Sequence, residues 1–402
     1  MAKIDRYNGN MEAFAADALS TERTIFGDTA QSDTLDANIT ADFLRGWGVV
    51  GVNENPTKQD FNGLAFTLGQ LIAYMHQRGV PEWNAAQEYY EGSVVTTLAG
   101  IYRLKSGGVG SSDPDTDGGV NWELAPTPVQ SDITVTVGTG GDYPTINAAL
   151  EYLSKLQPVY DSAGITATIN LLTGFTMAEQ VLVRGLDLGW VTITGADAET
   201  TITNTALTTD FTTADYGSDS YPAFGVSKGG VLPRIGQLFR FDVANVGGNK
   251  HGIMAVGAGS SADVLAGAGV NDAGTHGIWA NRGATINAHS ANASGAGTYG
   301  ITASNGATIN AEEADASGAG ANGIYASQGA TINADAANAS GAETHGIIAI
   351  RGSTINAQSA DASGAGTYGI TASTGATINA DAATGTLSQA INTVTNNGII
   401  FQ

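Results

Sequence analysis

The 402-residue chain has no cysteine, which excludes a disulfide framework and thiol catalysis. Basic residues are scarce: 16 Lys and Arg stand against 38 Asp and Glu, a formal charge of −22, and only Arg282 and Arg351 are basic after Lys250. That balance argues against nucleic acid and anionic membrane as partners, because each phosphate contact calls for a cation. No run of about 18 apolar residues is present to cross a bilayer, and the opening MAKIDRYNGNMEAFAADALS lacks the apolar core of a secretory signal. The expectation is a soluble chain, without membrane insertion and without export through a signal peptide.

What is abundant is repetition. GTHGIWANRGATINAHSANASGA fills 274–296, and four further versions at a period of 23 carry the pattern to residue 388, among them GTYGITASNGATINAEEADASGA at 297–319. An irregular copy with two extra residues, NKHGIMAVGAGSSADVLAGAGVNDA, precedes them at 249–273. Within one copy Ile301 and Ala303 alternate with Thr302, Ala307, Ile309 and Ala311 alternate with Thr308 and Asn310, and Ala314 and Ala316 fall on the apolar side of a third stretch. Three short strands joined by Gly-containing corners make one coil of a parallel β-helix, a mainly β fold. A leucine-rich repeat would need its Leu/Asn consensus and a helical arc, and neither is present. Equivalent residues of successive copies then form ladders about 4.8 Å apart. In one of them, Asn287, Asn310, Asn333, Asn356 and Asn379, the amides are expected to bond to each other and fix the stack.

Four zones separate along the chain. Residues 1–80 end in a helix over 57–78, with a capping box at Thr57 and Asp60 and an apolar stripe of Phe61, Leu64, Leu68, Leu71, Ile72 and Met75. That stripe reads as a packing face, within this zone or between subunits. Residues 81–127 form a small β module with an aromatic cluster. Residues 128–248 hold a strand, a helix with Pro144 at its first position and the face Ile146, Ala149, Leu150 and Leu153, then short strands and an irregular stretch from 206. That helix is placed to cover an exposed strand edge at the end of the stack. Residues 249–402 hold the regular repeats and a closing strand.

The segment ITVTVGTGGDYPTINAALEYLSKL, followed by strand pairs and VTITG, resembles the start of pectin-lyase-like proteins. The resemblance implies a right-handed parallel β-helix with a helical cap. Upstream, ENPTKQDFNGLAFTLGQLIAYMHQRGVPEWNAAQEYYEGSVVTTLAGIYRL resembles the N-terminal modules of bacteriophage tail fibres and tailspikes. Together they imply a homotrimeric receptor-binding protein of the virion tail, assembled in the host cytoplasm. It would be joined to tail or baseplate proteins through its N-terminus and would present the β-helix to host polysaccharide or lipopolysaccharide. Many such tailspikes are polysaccharide depolymerases, hydrolases or lyases, which is the alternative reading. The spacing of Trp83, Tyr90, Tyr102 and Trp122 also resembles small chitin-binding modules, whose aromatic rings stack on sugars.

Hydrolysis needs two carboxylates, about 5–5.5 Å apart for retention or about 6.5–9.5 Å for inversion. Glu312 with Asp335, one coil apart, is one candidate pair; Asp210, Asp215, Asp219, Asp242 and Asp263 lie where the regular scaffold is interrupted. The bland reading of all of them is a solvated face or polar loop. A lyase would need a basic residue, with Arg234 and Arg240 the nearby ones. The Asp-rich loops of this stretch have no D-x-D-x-D-G ligand spacing, and no metal or cofactor is expected. The residue before each Gly-Ile is more informative: His251, His276, Tyr299, Asn322, His345 and Tyr368 form a ladder rich in rings, suited to sugar rings or to a second chain. Three residues on, Trp279, Tyr325 and Ile348 share a position pointing away from the Ile/Ala interior and are candidates for a subunit interface.

Overall fold

The computed structural model describes residues 12–19, 22–49, 55–125, 127–159, 162, 164–211, 219–243, 248–385 and 392–401. They divide between two compact units, residues 1–126 and 127–402.

The first unit opens with helices Leu35–Asn38 (α1), Ala41–Arg45 (α2) and Lys58–Arg78 (α3). The capping box of α3 forms as its spacing predicts: Thr57 Oγ1 accepts from the Asp60 amide at 3.1 Å, and the Asp60 carboxylate accepts from the Thr57 amide at 3.0 Å. Of the two alternatives for the apolar stripe, packing within this zone is not seen. Gly63, Phe66, Thr67 and Ala73 are buried, whereas Phe61, Leu68, Leu71, Ile72 and Met75 remain exposed. The cause is Gly63, where a Cβ would stand 2.2 Å from the Thr24 carbonyl oxygen, so the chain at Thr24 runs directly over the helix backbone. Beyond α3, strands Val94–Thr96, Ile101–Leu104 and Trp122–Leu124 form an antiparallel sheet around buried Val95, Leu104 and Trp122.

The second unit is mainly β, with large parallel sheets. Strands Ile133–Val137, Ala167–Leu171, Val191–Gly195 and Arg234–Ile235 pair in that order. Helix Ile146–Leu153 (α4) buries Ile146, Ala149, Leu150 and Leu153 and packs on the first two of these strands, covering the edge strand Ile133–Val137. Its N-cap is Thr145, whose hydroxyl accepts from the Ala148 amide at 3.2 Å, so Pro144 lies outside the helix rather than at its first position. The Glu179 carboxylate takes the free amides of Ile146 (2.6 Å) and Asn147 (3.0 Å), although burial raises its pKa.

Two longer sheets carry the repeats. The nine-stranded one runs from Val181–Arg184 through Tyr221–Ser227, Lys250–Val256, His276–Asn281, Tyr299–Ser304, Asn322–Ser327, His345–Ala349 and Tyr368–Ser373 to Asn392–Thr395. The seven-stranded one collects Ser261–Asp263, the five Thr-Ile-Asn strands and Ile399–Phe401. Partners are equivalent residues of successive copies, such as Ile301 with Ile324 and Ile309 with Ile332. Between the two strands of a copy the chain turns on a left-handed residue and a glycine, Asn305 (φ 54°) with Gly306 (φ 72°) in one copy, the combination a tight type I′ turn requires.

The expected third strand is mostly reduced to single bridges, linking Asn292, Asp315, Asn338 and Asp361. Its side chains bend back onto their own backbone: Asn292 accepts from the Ser294 amide at 3.1 Å and Asp315 from that of Ser317 at 3.0 Å, which ends an extended segment after one residue. The interior is lined by Phe224, Phe239 and Phe241 in the early strands and by fully buried Ile and Ala in the repeats. Outside it the asparagine ladder forms as expected, Nδ2 to Oδ1, at 3.2, 3.0, 2.9 and 2.8 Å from Asn310 to Asn379. Asn287 continues it to Asp263 at 2.8 Å.

Candidate functional site

The two ladders that the sequence separates are brought together. Ile301 and Ala303 are in the core, so plain alternation would send Tyr299 inward with them. Gly300 breaks the alternation. A Cβ there would meet Ala316 Cβ at 2.7 Å and the Gly323 carbonyl oxygen at 2.8 Å, so only glycine lets the strand bend at this point. Residues 299 and 302 then lie on the same outer side. Repeated from copy to copy, this gives one row of rings.

His251 and His276 have centroids 4.8 Å apart, His276 stacks on Trp279 (4.6 Å, 13°), His276 meets Tyr299 at 5.1 Å, and Tyr299 stacks on Tyr325 (5.0 Å, 12°). Asn322 interrupts the rings but not the contact, since its Oδ1 accepts from His345 Nδ1 at 3.0 Å, and His345 meets Tyr368 at 5.7 Å.

Exposure along the row is uneven. His251 is 2 % exposed and cannot touch an external ligand, which corrects its place among the contact residues; its ring is covered by its neighbours. Met254 is buried as well, because Phe211 from the irregular stretch packs over it together with Val256, Leu182 and Trp279, and the Arg184 guanidinium lies 4.8 Å from the Phe211 ring. Thr302 and Thr371 are buried, and Trp279, Tyr325 and Ile348 are half-covered. The open apolar face expected at this position is therefore narrower, since the chain covers much of it with its own rings. His276, Trp279, Tyr299, Tyr325, His345 and Tyr368 remain partly accessible.

The row is uncharged at neutral pH. Burial pushes the His251 imidazole down to about 3, and burial with His251 beside it holds His276 well below the ordinary value. Their Nδ1 atoms are 3.0 Å apart, so one of them carries a proton and the other a lone pair. Nε2 of His251 is buried without a partner. An unpaired lone pair there costs less than an unpaired N–H, which makes His251 Nδ1 the donor. Neutral, stacked rings suit the C–H faces of sugars.

Glu312 and Asp335 lie at equivalent positions of adjacent copies, while Asp210, Asp242 and Asp263, where the scaffold is interrupted, are engaged one by one. Asp263 is bound by Arg234 at 2.8 Å and starts the asparagine ladder. Asp242 accepts from the Asn204 amide (3.0 Å) and Asp210 from that of Ser220 (3.1 Å). Asp219 is exposed, and Asp215 lies outside the described residues. Glu312 faces His289 at 3.8 Å, and Asp335 is half-buried one copy on. Of the two arginines, Arg234 holds Asp263, and Arg240 lies 3.2 Å from both Glu199 and Asp272.

In the first unit Trp122 is fully buried and donates to the Ser112 carbonyl at 2.9 Å, with Tyr89 edge-on to it at 5.6 Å. It is core, which corrects its place among the sugar-stacking rings; Trp83 and Tyr102 pack half-buried against the same cluster, and Tyr90 is exposed. The D-x-D-x-D-G spacing looked for in the irregular stretch does occur here, as Asp113, Asp115, Asp117 and Gly118. These carboxylates turn onto their own chain, Asp117 accepting from the amides of Gly119, Asn121 and Trp122 at 2.8, 2.7 and 3.1 Å. Among the described residues no three Asp, Glu or His side chains converge as a metal ion requires. No family model matches the chain, and no curated protein matches it.

Proposed function

We propose that the chain is a homotrimeric phage tail fibre or tailspike protein of the virion tail. Its second unit winds as a right-handed parallel β-helix of 23-residue coils, with a pectin-lyase-like start capped by α4. Its first unit joins tail or baseplate proteins, and the row of rings binds host-surface polysaccharide or lipopolysaccharide. The parallel pairing of equivalent residues and the strand–helix–strand opening over 133–171 support the fold. The single observation that carries the binding role is the half-exposed, uncharged row of rings from His276 to Tyr325 along the sheet, which offers contiguous aromatic surface at about the spacing of the strands. Binding without cleavage is the reading favoured, because Asp210, Asp242 and Asp263 are engaged by their own chain and the arginines a lyase would need are ion-paired.

The test is retention of the full-length protein on immobilised bacterial surface polysaccharides and lipopolysaccharides, with the chain length of the glycan measured before and after incubation. Retention with unchanged glycan length is expected. Shortening of the glycan would replace passive binding by depolymerisation, and lack of retention on every glycan from the phage's own host would remove the receptor role.

A further inference from the structure

Helix α3 places its residues opposite to the usual pattern. Two glycines sit in its interior, each costing about 1 kcal/mol relative to alanine, and both face its own unit. A Cβ on Gly63 would meet the Thr24 carbonyl oxygen at 2.2 Å, and one on Gly69 would meet the Phe14 amide nitrogen at 2.8 Å. The small residues thus admit the chain on one side, and the large apolar ones are turned to solvent on the other. Phe61 is 55 % exposed, Leu68 47 %, Leu71 36 %, Ile72 52 % and Met75 63 %. No other described helix has such a face, and in the second unit Trp279, Tyr325 and Ile348 are all better covered.

The spacing is that of a coiled-coil seam. Phe61, Leu68 and Met75 are seven apart, with Leu64 and Leu71 between them in the 3-4 alternation, so they occupy a and d of two heptads, and Ile72 broadens the seam at e. From Phe61 to Gln77 the helix carries no Asp, Glu, Lys or Arg. In a chain of net charge −22 this is a surface on which identical copies meet without like-charge repulsion. With about 200 Å² for a fully exposed large side chain, the five exposures amount to roughly 500 Å² per copy. A pair would bury about 1,000 Å² in total, at the lower limit for a specific contact; three copies would bury about 1,500 Å² spread over three contacts and enclose the seam on all sides.

We infer that α3 is the self-association seam of the protein, three copies packing in parallel through Phe61, Leu64, Leu68, Leu71 and Met75. This rests on the trimeric reading above and moves the interface from the repeats to the first unit. The experiment is light scattering of the full chain beside two variants, Leu68→Glu with Met75→Glu, and Trp279→Thr with Tyr325→Thr. The wild type and the second variant are expected at three times 40.7 kDa and the first at 40.7 kDa. Should the glutamate variant stay trimeric, the seam assignment is overturned while the trimer stands; should the wild type be monomeric, both fall. Because the chain has no cysteine, Met75→Cys gives an independent readout that does not depend on how the glutamates affect folding. Parallel copies at an a position should form an intermolecular disulfide under mild oxidation, at least tenfold faster than the exposed control Leu98→Cys. Equal rates would overturn the inference.

Discussion

Acid should weaken the second unit through His251 in particular. An imidazole has an ordinary pKa of 6.5, and burial lowers that of His251 to about 3. As pH falls below 6.5 the unfolded chain takes up this proton, while the folded chain refuses it until about pH 3. Stability from keeping this ring neutral is therefore complete above 6.5 and declines as pH falls towards 3. At about 1.36 kcal/mol per pH unit, the loss is on the order of 1 kcal/mol at pH 5.5 and on the order of 3 kcal/mol at pH 4.5. The ring is 2 % exposed, so solvent screening does not reduce this much. His251→Phe keeps a ring against His276 and Trp279 and removes the titration. Urea denaturation of both proteins by circular dichroism at pH 8, 6.5, 5.5 and 4.5 gives the difference in stability at each pH. Carboxylates titrate in both and cancel in that difference. The gap between variant and wild type should shift in the variant's favour by on the order of 3 kcal/mol from pH 8 to pH 4.5. A gap that does not change with pH would refute the reasoning.

Deleting one whole copy, residues 320–342, should leave a folded protein, because Tyr299 and Ile301 would then pair with His345 and Ile347, and circular dichroism should keep its β signature. Deleting 320–330 alone breaks the register and should not be tolerated. Ile309→Ala, at a site 1 % exposed, should cost about 2–5 kcal/mol in urea denaturation. Trp279→Thr with Tyr325→Thr should leave the protein folded, at some cost in stability because Trp279 packs on Met254 and donates to Ser304, yet abolish retention on the glycan that the wild type binds.

Features fixed by local chemistry were legible in the sequence. The capping box at Thr57 and Asp60, the buried face of α4 and the Asn287–Asn379 ladder need only a spacing and a donor or acceptor. What was not legible depends on backbone approach. Whether the α3 stripe packs within its own unit or between subunits was not legible, because it depends on Thr24 crossing the helix at Gly63 on the other side. The third strand of each copy reads as extended until Asn292 and Asp315 bend to Ser294 and Ser317. The merger of His276, Trp279 and Tyr299 into one row follows from a bend at glycine that strict alternation does not contain. Phe211, distant in sequence from Met254, gave no signal that it would cover it.

The contrast between copies explains why the threonine substitutions should separate binding from stability. Inside the stack the copies keep to the same residue types: Ile301, Ile324, Ile347 and Ile370 occupy one position, all fully buried, and Ala303, Ala326, Ala349 and Ala372 another. A change there alters the packing of two neighbouring copies at once, so the stack constrains it strongly. The outer positions are constrained less, except where Met254 and Trp279 pack against Phe211. One holds Trp279, Thr302, Tyr325, Ile348 and Thr371, and the sheet pairs them in register regardless of size. Threonine already occupies this site at 302 and 371 on the same backbone, so placing it at 279 and 325 asks for no new conformation. What the substitutions remove is the His276–Trp279 and Tyr299–Tyr325 stacks and the partly exposed ring surface of the row. If stability and glycan retention fell together, the rings would be structural packing and the recognition surface would have to be sought elsewhere; if retention alone is lost, the variable outer positions of an otherwise uniform stack are where its specificity is encoded.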